Sequence, residues 1–110
     1  MTTVVIKMDH KGSYCGFYCK GHAGYAKHGK PDVLCAAISA LTIGTINSLE
    51  TLAGEKIKIS SDSESGYLKC DFESTLQEKS SFLMDAMIFS LQNISEEYGT
   101  KYLQVKFEEV

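Results

Sequence analysis

Hydrophobic and polar residues alternate from Thr2 to Asp9, with β-branched side chains dense among them, which predicts a strand. Lys11-Gly12-Ser13 makes a turn and Tyr14 to Lys20 alternates again, so the chain opens on a hairpin. In that second strand Cys15, Phe17 and Cys19 fall on one face at period two, which assigns both cysteines to the core. Gly21 to Lys30 follows as a loop with three glycines, long for a connection in a small protein and therefore a candidate for function. Asp32 reads as the N-cap of a helix from about Val33 to Leu52, with Pro31 just ahead of it. That helix carries no charge before Glu50, which predicts burial on most sides. Ala36, Ala40, Gly44 and Ser48 recur every fourth residue on it and predict close packing on its own sheet, with a subunit contact as the alternative.

Beyond Gly54, Lys56 to Ser60 alternates as a third strand, and Tyr67 to Phe72 forms a fourth with Leu68, Cys70 and Phe72 facing the core. A second helix spans about Thr75 to Tyr98, with Leu83, Met87, Leu91, Ile94 and Tyr98 as its apolar stripe. Phe82, Ile88 and Phe89 widen that stripe beyond what one sheet needs, a pointer to self-association. Gly99 ends the helix and Lys101 to Phe107 makes the last strand. The order ββαββαβ predicts an α+β, two-layer sandwich: a mainly antiparallel five-stranded sheet with two helices on one face. Residues 1–110 read as a single domain.

Composition narrows the function classes. A 44% hydrophobic and 23% charged chain of 110 residues is that of an ordinary globular protein. A formal charge of −3 and the lack of a basic stripe argue against direct nucleic-acid binding, and all the basic residues counted are lysines, so no guanidinium fork is available. The opening residues carry no secretory pattern, and the uncharged run from Val33 to Leu49 falls short of a membrane span. The reading is therefore cytoplasmic, with the four cysteines reduced and no membrane partner.

The chemistry concentrates around Cys35. It is the third residue of the first helix, where unpaired backbone N–H groups and the positive end of the dipole favour a thiolate. His22 stands thirteen positions upstream at the base of the glycine loop, which can fold it back onto the thiol. His28 sits at the loop tip, and His10 beside the first turn is expected to face solvent. Cys15, Cys19, His22 and Cys35 make four nominal zinc ligands, but they lack tight Cys-x-x-Cys spacing, so no metal and no cofactor is expected. A cysteine at a helix start, a histidine in a glycine loop and a carboxylate at the cap together suggest an active-site thiol.

Gly21-His22-Ala23, the glycine-bearing loop and Asp32-Val33-Leu34-Cys35-Ala36-Ala37-Ile38-Ser39 closely resemble the signature of the ribosomal-processing cysteine protease family, Prp. The resemblance spans the chain and implies that family's small α/β fold. Its members remove a short N-terminal extension from a large-subunit ribosomal protein. By this resemblance Cys35 matches the nucleophile and His22 the base, Asp32 and Ser39 match the residues kept near them, and the loop from about Ala23 to Pro31, with Gly24 and Gly29, matches a mobile cover for the substrate. The family's dimeric state fits the broad apolar surface of helix two.

Read from the residues, Cys35 would form an acyl-enzyme, and His22 would protonate the leaving amine and then activate water. Backbone N–H groups at the start of helix one are the expected oxyanion donors, and Ser39, one turn on, is expected to line the pocket or steady His22. An extended substrate would suit addition to a sheet edge. The alternatives are a non-catalytic module that binds a ribosome-assembly partner, and a different thiol amidase or acyltransferase using the same pair.

Overall fold

The computed structural model describes residues 1–27 and 32–110; His28, Gly29, Lys30 and Pro31, including the expected loop glycine and loop-tip histidine, lie outside the described residues. Val4 and Ile6 of β1 (Thr2–Met8) are fully buried, and their partners carry the same apolar face across the sheet. β2 (Tyr14–Lys20) runs antiparallel to β1, with Cys19 opposite Val4 and Phe17 opposite Ile6. β4 (Tyr67–Phe72) sets Cys70 opposite Phe17, and β3 (Ile57–Asp62) sets Ile59 opposite Cys70. β5 (Leu103–Glu109) lies parallel to the other side of β1, giving the order β3-β4-β2-β1-β5. The expected α+β architecture holds: a mixed, mainly antiparallel five-stranded sheet with two helices.

α1 (Val33–Asn47), continued by a π-helical turn Ser48–Leu52, and α2 (Glu78–Tyr98) pack on the apolar face. α2 starts three residues later than Thr75. Its first turn is capped from a distance, because the Glu55 carboxylate, in the connection before β3, accepts the Gln77 N–H at 3.0 Å. No local pattern could have signalled that cap.

Three expectations fail, each for a physical reason. Cys15 is not a core residue. The β1–β2 register slips between Lys7, opposite Gly16, and Met8, opposite Tyr14, so a bulge at Cys15 breaks the alternation. Tyr14 turns towards the core instead, and Cys15 is only half-buried. Nor is α1 buried on most sides: Leu34, Ile38, Thr42 and Ile46 are buried, whereas Val33 and Ile43 are 66% and 48% exposed. One sheet can cover only one stripe of a helix. Finally, the small-residue stripe does not pack on the sheet, since Ala36, Ala40 and Gly44 are exposed and a Cβ at Gly44 would meet open space. By length and composition Val33–Leu52 could cross a membrane, yet Leu34, Ile38, Ile46 and Leu49 within it belong to the core shared with the sheet.

Candidate active site

Asp32 organises the start of α1. One carboxylate oxygen accepts the N–H groups of Leu34 at 3.0 Å and Cys35 at 2.9 Å, as an N-cap should. The other accepts Tyr25 N–H at 2.9 Å and Ala26 N–H at 3.5 Å from the glycine loop. Burial pushes the Asp32 carboxyl up, but the backbone donors, led by Cys35 and Tyr25, outweigh it and hold the group below the usual carboxylate range. Both oxygens are thus committed to backbone donors of the helix start and the loop.

This arrangement takes three donors from the expected oxyanion hole. The N–H groups of Leu34 and Cys35 belong to Asp32, and that of Ala36 goes to the Asp32 carbonyl at 3.0 Å, so these donors are not free for substrate. The donor that does reach the sulfur comes from the loop: Ala23 N–H lies 3.1 Å from Cys35 Sγ. Ala23 itself is buried, which fixes that donor in place.

Beyond Ala23, Gly24 turns the chain at φ +68°. The Tyr25 ring then inserts edge-on between Tyr98 of α2, 5.7 Å away, and Tyr102, 5.1 Å away. Lys101 Nζ sits 4.9 Å above the Tyr102 ring. The described part of the loop is therefore tied at the sulfur, at Asp32 and at a tyrosine cluster. The tyrosines were not picked out from the sequence, since nothing local links Tyr25 to residues so far along the chain.

His22 and Cys35 line one cavity of about 330 Å³, with Gly21 and Ser39 also in its wall. Its floor continues over Ile38 and Thr42 of α1, and Ser61 and Ser63 of the β3–β4 hairpin face it. Among the described residues no hydrogen bond joins the His22 and Cys35 side chains. The imidazole instead holds the hairpin: Nε2 lies 3.0 Å from the Glu64 carbonyl oxygen. A carbonyl only accepts, so in the neutral ring Nε2 carries the proton and Nδ1 keeps the lone pair. His10 is exposed, as expected. Among the described residues no group of three or more His, Cys, Asp or Glu is placed to hold a metal ion, and Cys19 and Cys70 are buried with thiols pushed up to about 12 by desolvation.

A two-layer α+β fold thus carries a thiol at a helix start, with an imidazole in the wall of the same cleft. The sequence profile of the family described as Cysteine protease Prp matches residues 1–104, and the chain belongs to that family. It is 30% identical over 102 residues to the ribosomal processing cysteine protease Prp of Bacillus subtilis, covering 89% of this chain and 90% of that protein. It is 31% identical over 99 residues to the protein of the same name from Staphylococcus aureus, covering 90% and 92%. The crystal structure of the S. aureus essential ribosomal processing protease Prp with a covalently linked product peptide superposes with a TM-score of 0.88 at 28% identity, covering 98% of this chain and all of that one.

Proposed function

We propose that this cysteine protease is an endopeptidase that removes the short N-terminal extension of a large-subunit ribosomal protein, with Cys35 as nucleophile and His22 as base. The observation that carries the reading is the shared cavity: the one thiol at a helix start and the one histidine of the glycine loop's base line the same cleft. The relatives' names support the substrate class, and the shared cleft supports the chemistry. Nδ1 of His22, free of the hairpin, is the ring atom able to take the thiol proton. Sulfur then attacks the scissile carbonyl, the carbon–nitrogen bond breaks, and the imidazolium gives its proton to the leaving amine. Water activated by the same ring hydrolyses the acyl-enzyme. Ala23 N–H, directed at the sulfur, stabilises the thiolate that attacks. Asp32 fixes the nucleophile's helix and the loop that carries this donor, and Ser39 lines the pocket.

The cleft also suits an extended peptide. β3 is an edge strand, and Ser61 on it faces the cavity, so substrate would add alongside β3 with its side chains over Ile38 and Thr42. The whole chain works as one cytoplasmic domain, without cofactor or metal. It pairs with a second copy through the outer face of α2, where Phe82 and Phe89 are 72% and 66% exposed. The test of the substrate is direct: incubate the protein with a large-subunit ribosomal protein bearing its extension and follow intact mass. A single cut that frees the extension is expected; an uncut substrate at stoichiometric enzyme would remove the assignment.

A further inference from the structure

The hairpin between β3 and β4 makes closer contact with His22 than a cleft wall requires. Glu64 offers its backbone carbonyl to Nε2, while Gly66, two residues on, passes so near that a side chain there would meet the same ring. A Cβ at Gly66 would stand 2.5 Å from the Gly21 carbonyl oxygen and 3.0 Å from His22 Cε1, and its φ of +69° is one that only glycine adopts freely. Gly21 is wedged in turn, since a Cβ there would fall 2.3 Å from the Met1 carbonyl oxygen, and Thr2 Oγ1 donates to the Gly21 carbonyl at 3.3 Å. The turn has its own brace: Asp62 Oδ1 accepts Glu64 N–H at 3.1 Å, and Ser65 Oγ donates to the Asp62 carbonyl at 3.3 Å. The hairpin thus meets the imidazole directly, while Met1 and Thr2 hold the Gly21 backbone that leads into it.

We infer that the Glu64 carbonyl is the third member of the catalytic unit, a positioning group that holds His22 in the Nε2–H tautomer and turns Nδ1 to the thiol, with Asp62 and Gly66 keeping that carbonyl in place. Asp32, the acidic residue nearest in sequence to the nucleophile, is consumed by backbone donors. The orienting role therefore falls to a main-chain oxygen, which accepts the Nε2–H and stabilises the imidazolium formed when the thiol proton arrives. This inference rests on the proposed Cys35–His22 chemistry.

The test separates the two. In Cys35→Ala protein, which needs no turnover, long-range ¹H–¹⁵N spectra of neutral His22 are expected to show the Nε2–H tautomer. Asp62→Ala should give a tautomer mixture and, in the active enzyme, a fall in kcat of about tenfold or more with KM within a factor of about two, the signature of a misaimed base. Asp62→Asn keeps the accepting oxygen and should restore both readouts. Gly66→Ala should behave like Asp62→Ala or worse, and the Asp62 pair decides the matter if that variant does not fold. An Nδ1–H tautomer in the parent protein overturns the inference, as does an Asp62→Ala enzyme with unchanged tautomer and kcat. Neither result touches the nucleophile assignment, which fails only if Cys35→Ala or His22→Ala still cleaves.

Discussion

At the scale of single residues, Asp32 serves two segments with one carboxylate. Its folded-state pKa lies below the ordinary value, so its stabilisation is present in full at neutral pH and lost as pH falls below about 4. Asp32→Ala should cost about 1 kcal/mol at pH 7, read by denaturant melts, with the deficit shrinking in acid; a constant deficit would contradict the role. The thiols should also separate by rate. Iodoacetamide at neutral pH is expected to label Cys35 ahead of buried Cys19 and Cys70. Equal labelling of all four in the native state would favour a binding module. The placing of Cys35 and Asp32 at a helix start and of His22 at the base of the glycine loop was legible because these are local patterns. The Glu64 carbonyl was not, because every residue has one and only the fold selects which is used.

At the scale of elements, the strands and helices were read nearly to their ends, since period-two and helical patterns survive wherever one face is buried. The misreadings fall where another segment intervenes. A bulge at Cys15 exchanged the faces of Tyr14 and Cys15, and the distant Glu55 capped α2. The described part of the loop is held at the Tyr25–Tyr98–Tyr102 cluster as well as at Asp32 and Cys35. Edge-on aromatic pairs contribute about 0.5–1.5 kcal/mol each beyond their buried area. Tyr25→Ala should therefore speed tryptic cleavage after Lys27 several-fold, while Tyr25→Phe should not. Equal cleavage of all three proteins would mean that the ring does not hold the loop.

At the scale of the molecule, sheet order was beyond sequence reading, yet it decides where the site lies. The order β3-β4-β2-β1-β5 puts the β3–β4 hairpin at the edge beyond the end of β2, which is where His22 leaves the sheet. The outer face of α2 carries the other whole-molecule expectation. Phe89→Glu should convert a dimer to monomer in sedimentation, and a monomeric parent protein would remove the pairing. The proposed cleavage depends on Cys35 and His22 acting together. The most direct measurement is the cleavage rate of the extended ribosomal protein by the parent chain, Cys35→Ala and His22→Ala, each shown to be folded. Loss of detectable cleavage in both variants is the expected result; processing at the parent rate by either one would contradict it.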